Sequence, residues 1–316
     1  MATASAPAKL ILCGEHAVVY RRPAIAVPLG DLRARAEVAP GEPGAGLRLL
    51  APDLGVAWAA ADEPDHPLVE LALSAAARLG LAGADLTVTL GSAIPVASGM
   101  GSGAAIGTAL VRALAAHAGA ALPPDAVAEL VYASERRFHG TPSGIDNTVV
   151  AHERAVWFVR APEPGAAPTI EPLAVGAPLT LVVGDTGVRS ETRLPVGAVR
   201  EAWQARPDEY ETLFDAVGDL ATRARFALAA GELAVLGHLL DANQTLLERM
   251  GVSSPELERL VAAARAAGAL GAKLSGAGWG GVMLALVTDE TRGAVEEALR
   301  AAGATRVLAA TVAATV

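Results

Sequence analysis

The chain has 316 residues and a formal charge of −9, from 25 lysines and arginines against 34 aspartates and glutamates. This acidic balance argues against sequence-independent binding to nucleic acid, which requires a clustered positive surface, so no nucleic-acid partner is expected. Cys13 is the single cysteine, which excludes a disulfide framework and a cysteine-based zinc site and favours a cytoplasmic location.

The first half of the chain predicts strands separated by loops and helices. The residues before position 9 lack the basic start and apolar run of a signal peptide. Apolar runs at 9–14 and 24–29 predict strands, and prolines and glycines between 40 and 67 indicate loops around one or two weak strands. The next predicted elements are a helix over 68–79, a strand over 85–90, a helix through Ile106, Leu110 and Leu114, a helix over 125–138, and buried strands over 155–159 and 179–183.

One stretch, residues 86–111, is uncharged and resembles a membrane span by hydropathy alone. It contains Pro95 and several glycines, which break helices, so no membrane partner is expected. Between 159 and 179, prolines and glycines indicate a hairpin or a surface loop.

The second half of the chain is richer in helical patterns, so the sequence predicts an α+β protein with a boundary near residues 185–195. The predicted elements are helices over 200–205, 209–230, 233–250 and 255–267, a strand over 282–287, a helix over 291–302 and a closing strand over 306–312.

A glycine-rich loop lies between the strand over 85–90 and the helix that follows. Its glycines allow successive backbone N–H groups to point into one concavity, and the helix adds unpaired amides and the positive end of its dipole. This arrangement suits a polyphosphate, although glycines that only let strand and helix pack closely give the same pattern. The Gly-Lys-Ser/Thr ending of a Walker A loop is absent. The loop reads Pro95-Val96-Ala97-Ser98-Gly99-Met100-Gly101-Ser102-Gly103-Ala104.

Two carboxylates flank a turn rich in glycine, proline and serine. Glu135 falls near the end of the predicted helix over 125–138, and Asp146 follows the turn. Such a turn holds a carboxylate in a fixed place, as a general base or a metal ligand requires. Taken singly, Asp146 is more often a turn-capping residue, Glu135 a solvated helix charge, and His139 a cap of the helix end.

Two further segments carry polar residues beside glycines. Lys9 starts the first predicted strand, and Glu15 and His16 follow a glycine turn; a surface lysine and a hydrogen-bonded histidine are the simpler reading of this segment alone. The glycine cluster over 273–281 precedes a predicted buried strand. That strand argues against a flexible linker and favours a loop packed against a ligand or against the first glycine loop.

Together and in this order, the four segments resemble the GHMP superfamily of small-molecule kinases, and within it the mevalonate kinase family. The most specific match is the similarity of residues 139–147 to that family's catalytic turn. The resemblance implies a two-domain GHMP kinase fold. Its N-terminal domain, residues 1–188, would resemble the second domain of ribosomal protein S5 and carry the phosphate loop, and residues 189–316 would form a helix-rich, ferredoxin-like domain.

The activity that the resemblance implies is transfer of a phosphoryl group from ATP, with Mg²⁺, to the 5-hydroxyl of mevalonate by a homodimer. Asp146 would be the catalytic base with Lys9 beside it, and Glu135 and Ser102 would hold Mg²⁺, all converging beside the glycine loop. The loop residues expected to contact ATP are Pro95, Ser98, Gly99, Met100, Gly101, Ser102, Gly103 and Ala104. The residues expected to line the mevalonate pocket are Glu15, His16, His139, Gly144, Thr192, Gly276, Ala277 and Gly278.

Three positions depart from the family pattern. The loop of the family reads Gly-Leu-Gly-Ser-Ser-Ala, whereas this chain has Met100 for leucine and Gly103 for the second serine. That serine hydroxyl is a metal or phosphate contact in the family, so Ser102, Ser98 or water would complete the shell here. Trp279 stands where the family has glycine, and its indole would fill space near the phosphate loop or narrow the pocket.

Two alternatives to this reading stay open. The acceptor would instead be phosphomevalonate, the mevalonate 3-hydroxyl or a sugar alcohol. A phosphorylated acceptor would require additional cations, for which Arg21, Arg22, Arg189 and Arg193 are candidates. In the other alternative, which Gly103 alone supports, the chain is a catalytically weak relative that binds nucleotide or prenyl ligands as a sensor.

Overall fold

A computed structural model describes residues 1–95, 99–139, 144–161, 163, 168–189 and 191–315, with residues 137–139 described by their backbone only. The strands are β1 (Ala2–Cys13), β2 (Ala24–Pro40), β3 (Leu47–Ala51), β4 (Val56–Ala59), β5 (Leu86–Ser92), β6 (Val156–Val159), β7 (Thr169–Pro172), β8 (Leu179–Asp185), β9 (Gly271–Ser275), β10 (Val282–Val287) and β11 (Arg306–Val312). The α-helices are α1 (Pro67–Arg78), α2 (Ser102–His117), α3 (Pro124–His139), α4 (Ile145–His152), α5 (Arg193–Ala205), α6 (Pro207–Ala230), α7 (Leu233–Arg249), α8 (Pro255–Ala266) and α9 (Asp289–Ala301).

The α+β chain divides into two compact units, each assembled from three segments. Unit 1 contains Met1–Ala8, Leu32–Val96 and Gly101–Glu153, and unit 2 contains Lys9–Asp31, Ala97–Met100 and Arg154–Val316. The long strands β1 and β2 each contribute residues to both units. The division into continuous domains at residue 188 stays a prediction.

Unit 1 joins a sheet to the helices α1–α4. Within it, β4, β3, β5 and the end of β2 lie in that order, with β3 and β5 parallel and the other pairs antiparallel. The predicted alternation over 85–90 is confirmed, because Leu86, Val88 and Leu90 are buried while the threonines between them are partly exposed.

Unit 2 is built around the antiparallel sheet β11-β8-β10-β9. Strand β10 lies inside it and is buried along its whole length, and Leu284 pairs with Val183 on β8. The core joins residues of this sheet to helices α6, α7, α8 and α9, which contribute Phe214, Leu247, Leu260 and Val295. The hairpin or loop predicted between 159 and 179 is a hairpin, since β6 and β7 pair antiparallel.

Two elements were not predicted from the sequence, and both carry residues of interest. Residues 145–147 were read as the end of a turn, but they begin helix α4, whose β-branched Thr148, Val149 and Val150 have low intrinsic helix propensity and are buried. Residues 273–275 were read as the start of the glycine cluster over 273–281, but they belong to β9, which is buried along its whole length. In both cases tertiary burial outweighs a weak local signal.

Other predictions were right in kind but short in extent. Strand β1 starts at Ala2 rather than at Lys9, β2 extends to Pro40, and α5 begins at Arg193. None of the helices in the described part of the chain combines the length and apolar character needed to cross a membrane.

Candidate active site

The start of α2 brings Glu135 close to the end of the glycine-rich loop. Ser102 is the first residue of the helix and Gly103 the second. A Cβ atom built on Gly103 would lie 2.6 Å from Oε1 of Glu135. Glu135 extends from α3 and is only 8 % exposed, so the reading of Glu135 as a solvated helix charge is wrong. The carboxylate occupies the space that a side chain at position 103 would need.

Asp146 lies in the first turn of α4, and its neighbours hold that turn in place. The side-chain amide of Asn147 donates a hydrogen bond to the carbonyl of Ala128 on α3 (3.0 Å), and the hydroxyl of Thr148 donates to the carbonyl of Gly144 (2.8 Å). Asp146 itself is partly buried. A carboxylate in the first turn is also favoured by the positive end of the helix dipole. Asp146 is therefore fixed by a helix rather than by a loop.

In unit 2, Lys9 lies inside β1 and is 3 % exposed. Its backbone N–H donates a hydrogen bond to the carbonyl of Met100 (3.1 Å), which ties this strand to the glycine loop. The simpler reading of Lys9 as a surface lysine is therefore wrong. A buried ammonium requires polar partners.

Glu15 forms a buried ion pair with Lys273 on β9. The Lys273 ammonium donates hydrogen bonds to Oε1 of Glu15 and to the carbonyl of Leu274, and both side chains are at most 1 % exposed. Burial raises the pKa of Glu15, and the adjacent ammonium opposes that rise. Among the described residues, the other carboxylate oxygen, Oε2, has no side-chain or backbone partner that meets hydrogen-bond geometry.

His16 is hydrogen-bonded to the glycine cluster over 273–281. Its Nε2 lies 2.9 Å from the carbonyl of Ala277. Burial lowers the pKa of His16 to about 4, so the ring is neutral at neutral pH. A carbonyl only accepts hydrogen bonds, so Nε2 carries the proton and Nδ1 is left as an acceptor.

The segment over 275–281 is held in place by several hydrogen bonds. Ser275 Oγ accepts from the N–H of Ile11 and donates to its carbonyl (3.1 and 3.0 Å). Trp279 donates its indole N–H to the carbonyl of Gly251 and its backbone N–H to that of Val252, both at 2.8 Å. The Trp279 indole therefore packs on the turn between α7 and α8. The expectation that it fills space near the phosphate loop or narrows the pocket stays a prediction.

The structure thus brings together two groups of the predicted residues, each within one unit. Unit 1 joins Gly103 and Glu135, and unit 2 joins Glu15, His16 and Ala277. Thr192 precedes α5 and is exposed. Ser98 and the side chain of His139 lie outside the described residues. The expected convergence of Lys9, Glu135 and Asp146 stays a prediction.

Lys273 is the polar residue that sequence reasoning did not single out, although a signal was present. Lys9 and Lys273 are the only two lysines in the sequence, and all the remaining residues among the 25 lysines and arginines are arginine. Lys9 is 3 % exposed and Lys273 fully buried. A lysine ammonium is compact, whereas the arginine guanidinium is planar and wide. In a chain that otherwise uses arginine, a lysine therefore indicates a site of restricted size.

The residues at the start of α2 fit a magnesium ion. The buried Glu135 carboxylate beside Gly103 and the hydroxyl of Ser102 are oxygen donors, the kind that Mg²⁺ prefers. In the described part of the chain, no three or more acidic, histidine or cysteine side chains form a metal cage. Mg²⁺ would therefore take its remaining ligands from nucleotide oxygens and water, as it usually does.

Comparison with known proteins gives consistent similarities along the chain. Residues 68–153 match the GHMP kinases N terminal domain and residues 224–305 match the GHMP kinases C terminal domain. Mevalonate kinase from Thermococcus sibiricus is 36 % identical, covering 95 % of this chain and 93 % of the relative, and that from Aeropyrum pernix is 36 % identical, covering 94 % and 91 %. The solved structure of L. major mevalonate kinase in complex with R-mevalonate superposes with a TM-score of 0.86 at 30 % identity, covering 100 % of this chain and 97 % of that one.

Proposed function

The chain belongs to the mevalonate kinase family of the GHMP kinases, and from this we propose that it transfers the terminal phosphoryl group of ATP to the 5-hydroxyl of mevalonate. The products are 5-phosphomevalonate and ADP. The observation that carries the proposal is the near-complete mutual coverage between this chain and mevalonate kinases at about 36 % identity.

In this proposal, Asp146 accepts the proton of the 5-hydroxyl as the oxygen attacks the phosphorus atom. The hydrogen bonds of Asn147 and Thr148 hold the first turn of α4 and so fix the carboxylate that must meet the substrate. Lys9 stabilises the negative charge that develops on the reacting oxygens. Phosphoryl transfer requires mainly positioning and charge neutralisation, which rigid elements such as β1 and α4 supply.

The nucleotide end is assigned to the glycine-rich loop and the start of α2. Backbone N–H groups of Gly101, Ser102 and Gly103 are the unpaired amides of a helix start and suit phosphate oxygens. Glu135 and Ser102 would hold Mg²⁺, which when bound neutralises charge on the phosphates.

The acceptor end is assigned to Glu15 and His16. Because His16 is neutral and its Nε2–H is already bonded to Ala277, this ring has only an acceptor, Nδ1, for a ligand. A nitrogen that only accepts hydrogen bonds can pair with a hydroxyl group but not with a carboxylate. His16 therefore binds a hydroxyl group of the phosphoryl-accepting substrate. His139, Gly144, Thr192 and the segment over 276–278 complete the pocket in this proposal.

A panel of acceptors tests the proposal directly. Purified protein is incubated with ATP and Mg²⁺ plus mevalonate, phosphomevalonate or a sugar alcohol, and ADP and the phosphorylated product are measured. Product phosphorylated at the 5-hydroxyl, with mevalonate as the best acceptor, supports the proposal. Absence of ADP formation with mevalonate under conditions where another acceptor reacts would refute it.

A matched pair of variants then tests the base. Asp146→Asn keeps the shape of the side chain but removes its ability to accept the proton, so kcat should fall about 10²–10⁴-fold. Asp208→Asn is the control, because Asp208 also lies in the first turn of a helix, α6, is exposed, and should leave kcat unchanged. Equal rates for both variants would exclude Asp146 as the base.

Two of the four arginines that a phosphorylated acceptor would use are already paired with carboxylates. Arg22 is bonded to Glu211 and Asp215, and Arg193 is bonded to Glu191. These guanidinium groups are already neutralised by carboxylates, which disfavours a second phosphate there. The homodimer and the cytoplasmic location remain parts of the proposal, and light scattering of the purified protein tests the first.

A further inference from the structure

The second residue of α2 is a glycine in contact with a charged side chain. A Cβ on Gly103 would lie 2.6 Å from Oε1 and 3.7 Å from Cδ of Glu135, and the first distance is shorter than real Cβ contacts allow. Any other residue at position 103 would therefore displace the Glu135 carboxylate from its present place. The contact joins α2 to α3 within unit 1.

The next glycine of α2 on the same side lies against apolar side chains instead. A Cβ on Gly107 would meet Cδ2 of Leu71 at 3.0 Å and the two Cγ atoms of Val131 at 3.3 and 3.4 Å. There the glycine accommodates apolar side chains of α1 and α3, as expected for tight helix packing. At position 103 the occupant is instead a carboxylate that is 8 % exposed.

The start of α2 gains an acidic group through this contact. The first turn of α2 contains no acidic residue of its own, yet an anionic or oxygen-rich group is favoured at a helix N-terminus. Glu135 supplies one from a neighbouring helix.

We propose that Gly103 is a positioning residue: by carrying no side chain, it leaves the space in which the carboxylate of Glu135, the expected Mg²⁺ ligand, lies. This inference rests on the proposed kinase function. It assigns the departure at position 103 to the placing of a metal ligand and removes the one feature that favoured a catalytically weak sensor.

The test measures binding of a non-hydrolysable ATP analogue by calorimetry over a series of Mg²⁺ concentrations. Gly103→Ala should weaken the Mg²⁺-dependent part of the affinity roughly tenfold, because the carboxylate is displaced from the metal, and should leave the Mg²⁺-free affinity unchanged. Gly103→Ser should behave in the same way, since its Cβ has the same effect.

Rescue by a shorter side chain separates this mechanism from a general packing defect. Asp is one methylene shorter than Glu, so the double variant Gly103→Ala/Glu135→Asp should recover most of the Mg²⁺ dependence that Gly103→Ala loses. Glu135→Gln in the parent chain should lose the Mg²⁺ dependence of binding. Gly197→Ala is the matched control for glycine replacement in a helix, since nothing lies within 4 Å of its added Cβ, and it should bind as the parent does.

The outcomes decide the proposal either way. Tighter Mg²⁺-dependent binding by Gly103→Ser would show that a serine shell is better and would overturn it, and so would unchanged Mg²⁺ dependence in Gly103→Ala or in Glu135→Gln. Because the measurement requires no acceptor, a failure of mevalonate as substrate would leave it unaffected, and the two failures are distinguishable.

Discussion

At the start of α2, a glycine accommodates a charged side chain, whereas in the segment over 276–281 glycine accommodates backbone. A Cβ on Gly103 would meet the flexible end of Glu135, but a Cβ on Gly278 would lie 2.0 Å from the carbonyl oxygen of Val252. A side chain can move and a backbone carbonyl in a packed turn cannot. Substitutions in the first region should therefore change ligand binding, and those in the second should change stability.

The largest effect on stability is expected at the buried ion pair between Glu15 and Lys273, next to the second region. Lys273→Met leaves the Glu15 carboxylate without its partner and should lower the free energy of unfolding by about 3–5 kcal/mol. Because burial already raises the pKa of Glu15, protonation of Glu15 should reduce the loss in acid. Urea unfolding at several pH values measures both quantities.

Two variants calibrate that result. The double variant Glu15→Gln/Lys273→Met leaves no unpaired charge and should lose less than Lys273→Met alone. Arg78→Met breaks an exposed pair with Glu129 and should cost at most about 1 kcal/mol. If Lys273→Met lost no more stability than Arg78→Met, the ion pair between Glu15 and Lys273 would not be what stabilises this region.

A matched pair of glycines tests the backbone contact itself. Gly278 and Gly99 both have positive φ, at 85° and 80°, but the nearest atom to a Cβ on Gly99 is the carbonyl oxygen of Ser275 at 3.6 Å. Gly99→Ala should cost only the conformational term, about 1–2 kcal/mol. Gly278→Ala adds overpacking and should cost about 2–5 kcal/mol in all, as measured by thermal or urea unfolding. Equal losses would contradict the distinction.

The pH dependence of stability tests the attachment of His16 to the same region. The pKa of His16 is about 4 in the folded state and about 6.5 in the unfolded chain. The unfolded chain therefore binds a proton first as the pH falls, and the free energy of unfolding should decrease by about 3 kcal/mol between pH 6.5 and 4. The raised pKa of Glu15 acts in the opposite direction, so the comparison is with His16→Gln, in which the His16 contribution should disappear. Identical pH profiles for the parent protein and His16→Gln would refute the contribution of His16 to stability.

The smallest effect is expected at Trp279. Trp279→Phe keeps an aromatic ring but removes the indole hydrogen bond to Gly251. Since the residue is 38 % exposed, water partly replaces that bond, and the loss should be about 0.5–1.5 kcal/mol by urea unfolding. An unchanged stability would show that the bond does not hold the segment over 276–281 in place.

The sequence predicted most of the regular elements because apolar periodicity is a local property. The alternating strand over 85–90 and the helices over 207–230 and 233–249 each carry their pattern within one continuous segment. Strand β9 and helix α4 were missed for the same reason: β9 is buried on both faces and α4 is short and rich in β-branched residues, so neither shows a clear period. Their form is decided by the neighbours that bury them.

The candidate residues were recognised because four ordered segments, taken together, resemble the pattern of one family. The sequence by itself therefore determined the α+β class, the family and the identity of Asp146, Lys9 and Glu135 as candidates. Only the tertiary structure decided that Lys273 pairs with Glu15, that His16 is neutral, and that Glu135 fills the space beside Gly103. Those facts depend on distances between residues remote in the chain and on the exclusion of water around them, which no local pattern encodes.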